Sequence, residues 1–204
     1  MARVLVLFGS TDGHTAKVAR FIGGELRTLG AEVDVVDAAH ASPAVRDYAA
    51  VIVAASIHAG GYQRKVIRWV RANAMQLHLR ANAFVSVCLA VLQKDPAVQH
   101  ELEVIRDRFM GRTGWIPADI RIVAGALPYT RYAWLKRMVM RRIVKKVGGP
   151  TDASQDFEFT DWEGLRVFAR QFHAMTVPPP APTPAFPQRS ERSPETAALS
   201  AAPV

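Results

Sequence analysis

The residues best suited to chemistry stand near the start of the chain, where an apolar run, Val4-Leu5-Val6-Leu7-Phe8, breaks into Gly9-Ser10-Thr11-Asp12-Gly13-His14-Thr15. The run reads as a buried strand and the residues from His14 to Leu29 as a helix, so the small residues between form a strand-to-helix turn. Backbone N–H groups at a helix start lack intrahelical partners, and the helix dipole adds partial positive charge there, which favours an anion. Ser10, Thr11 and Thr15 add hydroxyl donors. Gly9 and Gly13 stand too far apart for the closely set glycines that admit a dinucleotide's pyrophosphate, and Lys17 has no glycine before it, unlike a P-loop lysine. Amides and hydroxyls without a lysine suit a single terminal phosphate; the same residues would also make an ordinary capped helix start that binds nothing.

The pattern apolar-apolar-Phe-x-Ser-x-x-Gly-x-Thr-x-x-x-Ala-x-x-Ile, carried by Val6, Leu7, Phe8, Ser10, Gly13, Thr15, Ala19 and Ile22, resembles the phosphate signature of the flavodoxin superfamily. That resemblance implies FMN as cofactor, with Ser10, Thr11, Asp12, Gly13, His14 and Thr15 around its phosphate. It also implies a role for the loop after the third strand, Ser56-Ile57-His58-Ala59-Gly60. Ser56 would meet the phosphate, His58 would stand where many relatives place an aromatic, and Gly60 and Gly61 would admit the flavin edge. A flexible loop with a solvent histidine is the plainer alternative.

The elements that must hold this turn recur along the chain. A helix with Val18, Ile22, Leu26 and Leu29 on one face leads to a strand at Val33–Val36, closed by Asp37 as a strand-end residue. Tyr48–Ser56 and Ala83–Leu92 are nearly continuous apolar runs, as expected of central parallel strands covered on both faces. A helix from Tyr62 to about Leu77 separates them, with Val66, Val70 and Leu77 along one side and Arg64, Lys65, Arg68 and Arg71 elsewhere. Ligands in such sheets sit outside the carboxyl ends of the strands, which makes Cys88, Leu89 and Ala90 candidate flavin neighbours. Cys88, without a partner cysteine and set in an apolar run, reads as an inert thiol. Asp95-Pro96 starts another helix, and Ile120–Ala124 is a short fifth strand. Five strands with intervening helices predict an α/β three-layer sandwich, flavodoxin-like, with a five-stranded parallel sheet in order 2-1-3-4-5. Thr160-Asp161-Trp162-Glu163 reads as a capping box, Thr160 at the cap, opening a last helix that packs through Leu165, Phe168, Ala169 and Phe172.

Two segments stand outside that plan. Between Asp119 and Asp152 there is no acidic residue, and Leu135, Val139, Ile143 and Val147 form an apolar line opposite Arg137, Arg141 and Lys145. This inserted basic amphipathic helix suits either a membrane interface or packing on the core with a solvated basic face. Beyond Val177 the proline-rich sequence cannot build a core, which divides the chain into a folded domain, 1–176, and a disordered tail, 177–204. A formal charge of +8 in 204 residues calls for an acidic partner, and one cysteine leaves no internal disulfide or multi-cysteine zinc site, so no metal is expected. No apolar stretch approaches the roughly 20 residues needed to span a bilayer.

Simple electron-carrying flavodoxins are usually acidic, whereas this chain is basic. Together with Ala55-Ser56-Ile57, the segment Ala124-Gly125-Ala126-Leu127 with Tyr129, Arg131-Tyr132 and Trp134, and the ending Gly148-Gly149, Thr151-Asp152 and Thr160-Asp161-Trp162-Glu163, it resembles the quinone-dependent protoporphyrinogen IX dehydrogenase branch of the superfamily. The resemblance implies oxidation of protoporphyrinogen IX, in haem biosynthesis, with electrons passed through FMN to a membrane quinone. Arg131, Trp134, Lys136, Arg137, Arg141, Arg142 and Lys145 then become candidate contacts for the substrate's propionates or for an anionic membrane surface. It implies a cytoplasmic protein, peripheral on the inner face of the membrane, with no nucleic-acid partner. No essential acid or base stands out; His58 is a candidate proton relay. A flavodoxin-type carrier without its own substrate site, or a basic interaction module, are the competing expectations.

Overall fold

A computed structural model of the chain describes residues 3–127 and 156–176. Five strands, β1 (Arg3–Gly9), β2 (Glu32–Asp37), β3 (Ala50–Ser56), β4 (Ala81–Val87) and β5 (Asp119–Val123), pair in parallel in the order β2-β1-β3-β4-β5. Helix α1 (His14–Thr28) follows β1, α2 (Arg64–His78) follows β3 and α3 (Pro96–Thr113) follows β4. The last helix, α4 (Trp162–Thr176), is preceded by a two-stranded antiparallel ladder of β6 (Ala126–Leu127) and β7 (Phe157–Glu158). The expected sandwich and strand order are present.

Strand alternation explains the three layers. Val4, Val6 and Phe8 of β1, Ile52 of β3 and Val85 of β4 face α1 and α4, where Val18, Ile22, Leu26, Phe168 and Phe172 complete one core. Leu5, Leu7, Val51, Val53 and Phe84 face α2 and α3, meeting Val66, Trp69, Val70 and Phe109. Both faces of the central strands are covered, so their sequences are nearly all apolar, with Asn82 and Ser86 the buried polar residues of β4. Leu29, expected on the buried face of α1, is 36% exposed, because the helix stops at Thr28 and the chain turns at Gly30 with φ +92°.

Three boundaries differ from expectation for physical reasons. The apolar run Ala83–Leu92 is not one strand: β4 ends at Val87, and Leu89–Leu92 winds into a 3₁₀ turn beyond the sheet edge. An apolar run alone cannot separate the two. The cap of α4 is Asp161, whose Oδ1 accepts from Gly164 N at 2.8 Å, and not Thr160, whose hydroxyl donates to Ala124 O at 2.8 Å. Glu163 does not reach back as a capping box requires; it pairs with Arg166 one turn on. By contrast, Asp95 caps α3 through Ala97 N at 2.9 Å, with Pro96 in the first turn.

The basic segment carrying Arg131, Trp134, Lys136, Arg137, Arg141, Arg142 and Lys145, and the tail 177–204, lie outside the described residues. Among those described, no helix is long and apolar enough to cross a membrane, and no three metal-ligating side chains cluster.

Candidate functional site

The turn between β1 and α1 opens at the point where strand order reverses, with β2 on one side of β1 and β3 on the other. Phe8 is buried and Gly9 ends the strand against α2: a Cβ at Gly9 would lie 2.5 Å from Val66 Cγ2. Ser10 then closes the loop, its Oγ accepting from Gly13 N at 3.0 Å. Gly13 takes the left-handed conformation, φ +89°, as the N-cap of α1, and no side chain caps the helix or places a carboxylate in its first turn. The donor end of α1 is therefore left to a ligand.

A cleft follows from this geometry. It is lined by Ser10, Thr11, Asp12, His14 and Thr15 from the first turn, by Ser56, Ile57 and His58 after β3, and by Val87, Cys88 and Leu89 after β4. Gly125 and Ala126 close its far side. Its cavity volume is about 150 Å³, room for a phosphate and its ester arm with the rest of a larger ligand reaching out through the open mouth. Thr15 is 2% exposed, yet its hydroxyl has no hydrogen-bond partner among the described residues. A hydroxyl that opens only onto the cleft, beside a bare helix N-terminus, fits a bound phosphate oxygen.

Most residues expected at a cofactor site thus meet in one place. Gly13 caps α1 and does not itself line the cleft. Ala59 and Gly60 stand back from the cleft wall, forming a tight turn in which His58 N donates to Gly61 O at 2.8 Å and Gly61 N to His58 O at 3.2 Å. Both central residues have positive φ, +49° for Ala59 and +74° for Gly60, as in the mirror-image turns of hairpins. Ala90 sits in the 3₁₀ turn and does not line the cleft. His58 is exposed at the rim, and its ring makes no hydrogen bond among the described residues. The Cys88 thiol faces the cleft, where burial raises its pKa and keeps it protonated.

Several contributors were not foreseen. Gln63, just ahead of α2, donates from Nε2 to Ser56 Oγ at 2.6 Å and to Thr11 Oγ1 at 3.2 Å. A hydroxyl has one proton and two lone pairs, so both side chains keep their O–H proton for a ligand. Gln63 Oε1 is buried without a partner. Thr160 crosses from the start of α4: its hydroxyl donates to Ala124 O and lies 2.7 Å from His14 Nε2. Since the one Thr160 proton is committed to Ala124, His14 must donate from Nε2, which fixes its tautomer. Burial lowers the His14 pKa against a smaller upward pull from Glu158. Burial resists ionisation of Glu158 itself, but hydrogen bonds from Lys17 Nζ (2.6 Å) and Trp162 Nε1 (2.7 Å) outweigh it and hold the carboxyl below its usual range. Tyr62 anchors the end of the His58 loop in an aromatic cluster with Phe84 and Phe109, its phenol pushed up to about 12 by burial.

Comparisons with known proteins agree with this geometry. Residues 5–154 match the model of the flavodoxin domain family. The chain is 32% identical over 178 residues to protoporphyrinogen IX dehydrogenase [quinone] of Escherichia coli K12, covering 87% of this chain and 98% of that protein. It is 33% identical over 185 residues to the protein of the same name from Leishmania major, covering 87% and 78%. Among solved structures it resembles a short-chain flavodoxin associated with a bacterial microcompartment, with a TM-score of 0.53, 14% identity and coverage of 87% and 100%. Oxidised flavodoxin 2 from Bacillus cereus matches with a TM-score of 0.53, 14% identity and coverage of 85% and 99%. At those identities the structures speak to the fold alone. From the domain match, and from identity along nearly the full length of the bacterial relative, the chain belongs to the flavodoxin domain family, in its quinone-linked protoporphyrinogen IX dehydrogenase branch.

Proposed function

We propose that this chain is an FMN-dependent oxidoreductase that converts protoporphyrinogen IX to protoporphyrin IX and passes the electrons to a membrane quinone. The observation that carries the reading is the phosphate-sized cradle at the N-terminus of α1, uncapped and lined by the partnerless Thr15 hydroxyl, in a chain whose relatives are named for that reaction. FMN, when bound, would supply the hydrogen and electron transfer. The chain's own residues bind and orient. Thr15 and the first amides of α1 hold the phosphate, Thr11 and Ser56 donate to it with Gln63 behind them, and the segments around His58 and Leu89 flank the open mouth of the cleft. The cations from Arg131 to Lys145 are proposed to meet the substrate's propionates or anionic lipid, with the protein peripheral on the cytoplasmic face of the membrane.

The test is to purify the protein with its flavin and supply protoporphyrinogen and a menaquinone analogue anaerobically. Fluorescent protoporphyrin above the no-enzyme control is expected. Holo-protein that forms none, yet exchanges electrons with protein partners, would be a flavodoxin-type carrier instead.

A further inference from the structure

Helix α2 carries an electrostatic arrangement that its own fold does not explain. Arg64, Arg68 and Arg71 recur at three- and four-residue spacing on its solvent face, and with Arg112 of α3 they line one groove. Lys65 lies alongside, facing the loop that carries His40. None of these five cations has an ion-pair partner among the described residues. Four of them crowd the N-terminal half of α2, which has no acidic residue in its first turn. The helix dipole disfavours cations at that end, and like charges at such spacing repel. The helix is held by its buried side, Val66, Trp69, Val70 and Leu77, so its exposed side is free to break these local rules.

The same face changes character towards its carboxyl end. Met75 and Leu79 continue the row in helical register and are 76% and 75% exposed; Ile116 is 70% exposed. Ile116 N donates to His78 Nε2 at 3.1 Å, which seats Ile116 beside the end of α2. These are the three most exposed large apolar side chains among the described residues. A small polyanion or a nucleic acid would engage the arginines but has no use for the apolar end. An anionic bilayer surface takes both, with cations on lipid phosphates and apolar side chains in the headgroup boundary.

We propose that the solvent face of α2, with Arg112 and Ile116, is a docking surface for an anionic bilayer. The row begins at Arg64, three residues after the His58–Gly61 turn at the mouth of the cleft, so α2 lying along the surface brings that mouth to the lipid. Why this benefits the protein rests on the quinone reading above; the surface itself does not.

The experiment measures co-sedimentation of the full-length, flavin-loaded chain with vesicles of phosphatidylcholine alone and of phosphatidylcholine with phosphatidylglycerol. The wild-type chain binds only the anionic vesicles, more weakly as salt rises. Combined Arg64→Glu, Arg68→Glu and Arg71→Glu should weaken that binding roughly fivefold or more for each cation removed. Glutamate suits the N-terminal half of a helix, so an unchanged circular dichroism spectrum is expected. Met75→Ser with Leu79→Ser should reduce the binding that survives high salt. Anionic-vesicle binding equal to wild type in the arginine variant, no vesicle binding by the wild type, or capture of an acidic protein in its place would each overturn the proposal. Porphyrin formation with a soluble quinone and no lipid should be unchanged in both variants. Its absence in the wild type would count against the enzymatic reading and leave the docking surface standing.

Discussion

His14 Nε2 lies 2.7 Å from Thr160 Oγ1, a contact across 146 residues that ties the first turn of the phosphate loop to the start of the last helix. Because Thr160 also donates to Ala124 O, one hydroxyl joins α1, the end of β5 and α4. Thr160→Val removes both bonds and should cost about 1–3 kcal/mol. Thr160→Ser, which keeps the hydroxyl, should restore most of it. Urea unfolding followed by circular dichroism reads the difference.

The His14 ring makes the same region sensitive to acid. Burial, the largest cause, holds its folded-state pKa below the ordinary imidazole value of 6.5, with Glu158 opposing the depression and Lys17 adding to it. Above 6.5 the ring is neutral in both folded and unfolded chains, and its contribution is fully present. As pH falls through 6.5 and on through the lower folded value, the unfolded chain takes up the proton first and stability is lost. The urea midpoint should therefore fall on the acid side of 6.5, and His14→Gln should flatten that fall. An equal slope in the variant would assign the sensitivity to other groups.

Gln63 offers a separate test of the cleft. If its amide sets the Ser56 and Thr11 protons towards a phosphate, Gln63→Leu should weaken FMN binding by about tenfold, the value of one hydrogen bond. Gln63→Glu should do more harm than Gln63→Leu, since a carboxylate would accept those protons and repel the phosphate. Flavin fluorescence quenching on titration of the apoprotein measures both. Equal affinities for the two variants would leave Gln63 as packing only.

These residues also mark where sequence reasoning ran out. The sheet is readable because strands covered on both faces are apolar at nearly every position, and the first turn because uncapped amides and hydroxyls are local to one stretch. Gln63 was invisible: its partners are seven and 52 residues away, and nothing in its neighbours announces them. Thr160 and Asp161 are equally good caps by residue type, and only Asp161 caps α4. The Ala124 carbonyl, 36 residues distant, decides which one is occupied elsewhere. The end of β4 was lost in an apolar run that serves first a strand and then a turn.

Ala59 holds φ +49° in the turn after His58, a conformation that costs an L-residue about 1–2 kcal/mol. Asparagine tolerates it and precedes glycine in the favoured hairpin turns. Ala59→Asn should raise stability by about 0.5–1 kcal/mol, seen as a higher Tm in calorimetry. A lower Tm would show that asparagine does not relieve the strain held at Ala59.

Gly9 is the point where the site and the core constrain one another. A methyl there would lie 2.5 Å from Val66 Cγ2 and 3.1 Å from Gln63 Oε1, and Val66 is fully buried, so neither α2 nor β1 can yield without disturbing the other. Gly9→Ala should cost about 1–3 kcal/mol by overpacking. It should also weaken FMN binding, because the displaced end of α2 carries Gln63 away from Ser56 and Thr11. Val66→Ala alone leaves a cavity and costs stability too. In the double variant the new methyl occupies the vacated space, and the combined loss should fall below the sum of the single losses by about 1 kcal/mol or more. Strict additivity in urea unfolding would mean that Val66 is not what the Gly9 methyl meets.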